Sequence, residues 1–176
     1  MNGTIFLKSA IQQFRDYKLL AEKTFAQLKE EDFQHQPDNS NNTLAVNITH
    51  LHGNMLSRWT NFLTEDGEKE WRARDTEFEQ QELDRATLMR LWEEGWACLL
   101  NALESLTPED LEKTIHIRTK PLTVIEAVHR QLTHYAYHVG QIVFIGKQIK
   151  GTEWQPLSVP KGGSAAYNQQ LKSDPQ

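Results

Sequence analysis

The sequence predicts an all-α protein built as a four-helix bundle. Two observations carry that expectation. Four stretches place apolar residues at three- and four-residue steps, the period of one buried helix face. Between them lie segments rich in polar residues, Pro and Gly, which suit caps and turns. Helices of roughly 20 residues, about 30 Å each, close into a bundle by turning their apolar stripes inward. Those stripes are wider than the a/d seam of a two-stranded coiled coil.

The first helix is marked by Leu7, Ala10, Ile11, Phe14, Tyr17, Leu20, Ala21 and Phe25. "EDFQHQPDNSNN" then reads as a polar loop rich in turn formers. The second helix opens after "QPDNSNNT" and carries Leu44, Ile48, Leu51, Met55, Trp59, Phe62 and Leu63. "EDGEKEWRARDTEFEQQ" follows, long and charged, and predicts a crossover or a functional loop between helices 2 and 3 rather than a tight hairpin. The charge run Asp66, Glu68, Asp75 and Glu77 reads as a solvated face. The third helix runs from about Asp84 through Leu88, Leu91, Trp92, Trp96, Leu99, Leu100 and Leu103, and stops before "TPEDL". There Thr107 can cap and Pro108 suits a first helical position.

"TIHIRTK" alternates Ile115 and Ile117 with His116 and Arg118, the pattern of a short extended segment before helix 4. The fourth helix begins at "TVIE", where Thr123 and Glu126 have capping-box spacing, and continues to about Ile149, where Gly151 can end it. In "WQPLSVPKGGSAAYNQQLKSDPQ", Pro and Gly argue against a long helix, while Trp154, Leu157, Val159 and Tyr167 call for burial. That tail is expected to pack across the bundle and to fray at its last residues. Trp59, Trp92 and Trp96 occupy core positions; Trp71 and Trp154 pin connections; Cys98, in "GWACLL", reads as a buried, inert thiol.

With 176 residues the chain can bury one sizeable core. A net charge of −5, with both signs interspersed, lacks the basic stripe that a nucleic-acid partner requires. A single cysteine excludes an internal disulfide and fits a reducing, cytoplasmic setting. The first residues lack a signal peptide's basic-then-apolar order, and no apolar run approaches the ~20 residues of a membrane span.

The seven histidines are His35, His50, His52, His116, His129, His134 and His138. His134 and His138 lie about 40° apart on one helix face and one turn apart along it. That is a standard way for a helix to offer two imidazoles to one ion. The same face carries Ala127, Gln131, Gln141, Ile142 and Ile145, so it looks inward with a polar middle. His129 points about 140° away from His134, toward solvent. In "NITHLHGNM", His50 and His52 lie roughly 200° apart, so only one can face the core, and the apolar stripe does not decide which. His50 shares its face with Asn54, Ser57 and Arg58, a polar file suited to one wall of a wet pocket. The alternative to a metal site is a set of half-buried helix histidines with ordinary hydrogen-bond partners.

The blocks "HLHGNMLSRW", "FLTEDGEKEWRARD" and "HYAYHVGQI", with "PLSVPKGGSAAYN" after the fourth helix, resemble the DinB-like family. The likeness covers nearly the whole chain and implies one DinB-like domain over residues 1–168, leaving 169–176 as the frayed tail. It implies a four-helix bundle with an uncommon helix order, often homodimeric. It also implies a divalent metal held by one histidine of helix 2 and two, four apart, of helix 4. Here those are His50, His134 and His138; the family pattern sets the helix-2 ligand immediately before "L-x-G-N", which selects His50 over His52. Some relatives are transferases that join bacillithiol or related low-molecular-weight thiols to electrophiles.

Three neutral imidazoles leave a divalent ion an open position, the pattern of a catalytic rather than a structural site. Such an ion could activate a thiol, activate water or polarise a carbonyl. Zinc, nickel, copper and iron all suit three nitrogen ligands. Arg58 is a candidate for a substrate carboxylate or phosphate, and Asn54 and Gln141 are candidates for orienting a small-molecule substrate. No HExxH glutamate accompanies the histidines, which favours S-transfer over carboxylate-assisted hydrolysis. The leading expectation is therefore a metal-dependent S-transferase with a thiol co-substrate. The alternatives are a metal-dependent hydrolase and a non-catalytic, metal-stabilised dimeric binding or stress-response protein.

Overall fold

The computed structural model describes residues 2–36, 41–79 and 81–173; residues 37–40 of the first polar loop and 174–176 of the tail lie outside the described residues. Among the described residues five α-helices form: α1 Gly3–Phe25, α2 Leu44–Trp59, α3 Arg85–Glu104, α4 Val124–Lys150 and α5 Ser164–Ser173. A two-stranded antiparallel hairpin, β1 Thr114–Ile117 and β2 Lys120–Thr123, precedes α4. The first four helices are the four expected, and each starts on a side-chain cap. Asn2 accepts from the Ile5 N–H, Thr43 from Val46 and Asp84 from Thr87. At α4 the capping box closes in both directions: the Glu126 N–H donates to Thr123 Oγ1 at 3.2 Å, and the Thr123 N–H donates to Glu126 Oε2 at 2.7 Å.

Local departures have local causes. α2 ends at Trp59, short of Phe62 and Leu63: Thr60 is extended at ψ 120°, and Asn61 then takes the left-handed region at φ 50°. Phe62 still reaches the core, from the turn rather than the helix. The Thr107–Asp110 capping box heads only a 3-10 turn, Pro108–Glu112. In the polar loop after α1 a 3-10 turn, Glu31–Gln34, buries Phe33 against Phe25. The tail meets the bundle at its start, where Gln155 and Gln27 exchange hydrogen bonds and Trp154 lies against Gly146. α5 then forms from "SAAYNQQLKS", good helix formers beyond the Pro160–Gly163 breakers, and buries nothing. Tyr167, expected inside, is 46% exposed.

Side-chain partners give the helix directions. Phe6 meets His129, Phe14 meets Tyr135 and Thr24 meets Gly146, so α1 and α4 run parallel. His52 meets Gly95 and Met55 meets Cys98, so α2 and α3 run parallel. Leu28 meets Arg85, Phe25 meets Trp92 and Arg15 meets Glu104, so α1 and α3 are antiparallel. Asn47 meets His138 and Asn54 meets Tyr135, so α2 and α4 are antiparallel. Around the bundle the order is α1, α4, α2, α3, with α1 across from α2 and α3 across from α4.

Two parallel neighbours cannot be joined by a short turn. The chain leaving α2 must travel back along that 16-residue helix, about 24 Å, before starting α3, and residues 60–84 do so. The crossover is anchored where it begins. Asp66 accepts the backbone N–H groups of Glu68, Arg118 and Thr119 at 2.7–2.8 Å. Arg118 and Thr119 form the two-residue hairpin turn with φ of 54° and 63°. Non-glycine residues there cost of order 1–3 kcal/mol each, which the Asp66 hydrogen bonds help offset. The alternation read in "TIHI" is real: Ile115 and Ile117 are buried, Thr114 and His116 exposed.

The core is apolar and continuous, with Phe14, Ile48, Leu88, Trp96, Leu99 and Tyr135 completely enclosed. Removing the α4 cap tests how the longest helix is set. Thr123→Ala should lower unfolding free energy by about 1 kcal/mol in urea titrations and Thr123→Ser by much less, whereas equal losses would mean the hydroxyl is not the operative group.

Candidate metal centre

On α2, Asn47, His50 and Asn54 recur at three- and four-residue steps and face α4. On α4, His134 and His138 lie one turn apart on the face toward α2. Because the two helices are antiparallel neighbours, the three imidazoles meet. His138 Nε2 is 3.1 Å from His134 Nε2, and His50 Nε2 is 3.5 Å from the same atom. A ring nitrogen from each of the three lies within 4.8 Å of the others, a group that could hold a metal ion. His50 and His138 are buried; His134 is half-buried and forms the more open side.

The other ring nitrogens fix the tautomers. His138 Nδ1 is 2.9 Å from Asn47 Oδ1, and Asn47 Nδ2 donates to Thr43 O, so the Asn47 oxygen faces the ring and Nδ1 is the donor. His50 Nδ1 lies 2.9 Å from Glu77 Oε2, a carboxylate that can only accept when ionised. With both Nδ1 atoms protonated, the Nε2 lone pairs of His50 and His138 converge on His134 Nε2. A proton on His134 Nε2 serves one of them at a time, whereas a shared cation serves all three. Metal–nitrogen bonds of about 2.0–2.1 Å in tetrahedral geometry put ligand nitrogens roughly 3.3–3.4 Å apart, close to the spacings around His134. Burial lowers the pKa of His134 to about 4 and of His138 to about 3, so both are neutral at pH 7, as ligands must be.

Glu77 is the residue that sequence reasoning missed. It belongs to the charge run read as solvated, yet it is buried on the 3-10 turn Arg74–Phe78. Arg72 Nε and Nη2 donate to Oε1 and Oε2 at 2.7 and 2.8 Å, a bidentate clamp. Burial alone would raise the Glu77 pKa; hydrogen bonds from His50 and Arg72 outweigh it and hold the carboxyl below its ordinary value. The carboxylate lies over α2 at Gly53, where a Cβ would collide with Oε1. That explains a glycine in mid-helix one turn after His50: no side chain fits beneath the carboxylate. The Phe78 ring lies 4.6 Å from the His50 ring, closing its other side.

The remaining sequence candidates are placed as follows. Asn54 is buried one turn after His50; its Oδ1 accepts from Tyr135 Oη at 3.1 Å, and Tyr135 in turn accepts from Trp59 Nε1. Arg58 is buried too, but its guanidinium is committed to the crossover: Nη1 donates to Gly67 O and Ser57 Oγ, and Nη2 pairs with Glu68. Gln141 is half-buried, one turn beyond His138. His52 faces α3 near Glu94, and His129 is exposed, its ring edge against Phe6. Cys98 is half-buried, and burial raises its thiol pKa. Trp59, Trp92 and Trp96 are core residues, whereas Trp71 is 59% exposed.

Fold and site together define a helical bundle protein with a buried three-histidine group suited to a metal ion. By sequence, the chain belongs to the family described as a protein of unknown function (DUF1572), whose model matches residues 2–163. Comparison with curated proteins returned no match. No helix of the described residues is long and apolar enough to cross a membrane.

The fit between Gly53 and Glu77 has a measurable sign. In a helix interior Gly→Ala normally stabilises by about 1 kcal/mol, but here the new methyl displaces a carboxylate whose loss leaves Arg72 and His50 unpaired, at about 3–5 kcal/mol for a buried pair. Gly53→Ala should therefore destabilise the wild type yet stabilise a Glu77→Ala background. Chemical denaturation of the four-member cycle checks this; additivity would exclude the contact.

Proposed function

We propose that the protein is a divalent-metal-dependent enzyme in which His50, His134 and His138 hold the ion and a small thiol is joined to an electrophile. The observation that carries this reading is the convergence of three Nε2 atoms whose partner nitrogens, in His50 and His138, are already tied to Glu77 and Asn47. Bound there, zinc, nickel or iron would lower the pKa of a thiol and supply thiolate at neutral pH.

The chain's own groups support S-transfer over hydrolysis. Hydrolysis wants a free base, but the carboxylate hydrogen-bonded to the cluster, Glu77, is held by Arg72 and His50. Cys98, its pKa raised, is no source of thiolate, so the thiol comes from outside, as a low-molecular-weight co-substrate of the bacillithiol kind. Three protein nitrogens leave room at the ion, and His134 marks the side from which it is reached. Asn54, with Oδ1 occupied by Tyr135, would offer its amide N–H groups to substrate, and Gln141 would contribute from the next turn of α4. Arg58 could contribute only by giving up its crossover contacts. A homodimer belongs to the same reading: Tyr137 and Phe144, seven residues apart on α4, are 62% and 61% exposed and suit a second copy.

Elemental analysis of the purified protein should find about one divalent ion per chain, with His138→Ala losing most of it. Thiol conjugation to a panel of electrophiles should require the ion and vanish in His138→Ala. Turnover of esters or amides without added thiol would make the protein a hydrolase instead, and inactivity across several thiols would overturn S-transfer. Sedimentation equilibrium should return twice the chain mass, and less in Tyr137→Glu.

A further inference from the structure

We infer that Glu77 is the positioning residue of the three-histidine site and that, through it, ion binding and closure of the crossover are coupled. The inference rests on the metal-binding reading above and adds to it a partner for the ion: the conformation of residues 69–79.

Within residues 71–79, Arg72 and Glu77 are the buried ones, while Trp71, Arg74 and Asp75 are exposed. A segment held by ordinary packing would invert that pattern, with tryptophan inside and ions outside. Here the charged pair is the anchor, and it docks on the His50 turn of α2. Glu77 Oε2 accepts from His50 Nδ1, the Thr49 hydroxyl donates to Glu77 O at 3.2 Å, Phe78 covers the His50 ring, and Gly53 leaves space for the carboxylate. Among the described residues Arg72 Nη1 is buried without a partner, a cost that the clamp on Glu77 must offset.

The same hydrogen bond therefore does two things. It keeps the proton of His50 on Nδ1, so that Nε2 presents a lone pair, and it holds the crossover down. With Glu77 undocked, His50 can move its proton to Nε2 and cease to be a ligand. Linkage makes the effect mutual: the factor by which docking strengthens ion binding is the factor by which the ion strengthens docking.

Zn²⁺ affinity, measured by competition with a chromophoric chelator, and amide hydrogen exchange of residues 69–79 with and without Zn²⁺ test this in the full chain. Glu77→Ala should weaken Zn²⁺ binding about 10–100-fold, the usual effect of removing a ligand's hydrogen-bond partner. Glu77→Gln, whose amide oxygen can still accept from Nδ1, should recover part of that loss. In the wild type Zn²⁺ should slow exchange in residues 69–79 by a comparable factor, and in Glu77→Ala it should not. If Glu77→Ala binds Zn²⁺ within threefold of wild type while His138→Ala does not bind, the metal site stands and the coupling falls. A wild-type chain that takes up neither Zn²⁺, Ni²⁺ nor Fe²⁺ overturns both. Should Glu77→Ala fail to fold, unchanged wild-type exchange on adding Zn²⁺ still overturns the coupling.

Discussion

The contact between α2 and α4 is the constraint on which the rest of the molecule depends. The α2–α3 and α1–α4 contacts are more extensive, but the α2–α4 seam joins polar groups in the interior: Asn47 with His138, His50 with His134, Asn54 with Tyr135. Polar groups withdrawn from water must be satisfied in place, and Asn47 with His138 and Asn54 with Tyr135 do this across the seam. Apolar contacts are non-directional, whereas donor–acceptor pairs tolerate little displacement, so the seam fixes the register of α2 on α4.

That seam also explains the topology. For α2 and α4 to be antiparallel neighbours while α2 and α3 are parallel, the chain has to leave α2 and return along the bundle. The crossover is thus a requirement of the helix order, and its length carries the Glu77 carboxylate to the His50 turn of α2. Asp66 fixes its start to the hairpin before α4, and Arg72 with Glu77 fixes its middle to α2. Glu30 and Gln34, from the loop after α1, hold its end at Arg85 and Leu83.

Much of this was legible in the residues, for definite reasons. Helix period and caps are local, so all four bundle helices and the Thr123–Glu126 box could be read directly. His134 and His138, four apart on an inward face, announce themselves in the same way. Helix order could not be read, since an amphipathic stripe says which face is buried and not which neighbour buries it. Choosing His50 over His52 needed the family pattern, because both flank the same apolar stripe. Glu77 was hidden for a different reason: in an aperiodic run of charges, a buried carboxylate and a solvated one look alike. The trace it left was Gly53, a residue with no evident reason to stand in mid-helix until the carboxylate above it is known. Tyr167 misled because an aromatic side chain implies burial only where something is present to cover it.

The pairing of directions has an electrostatic consequence. Each helix carries the equivalent of roughly half a positive charge at its start and half a negative charge at its end. With α1 and α4 pointing one way and α2 and α3 the other, each end of the bundle gathers two positive and two negative termini. The macrodipoles cancel, and the bundle as a body has little axial field with which to draw in a charged molecule. Any attraction felt on approach to His134 must come from individual side chains around it, which leaves ligand preference free to change by surface substitution while the four rods stay as they are.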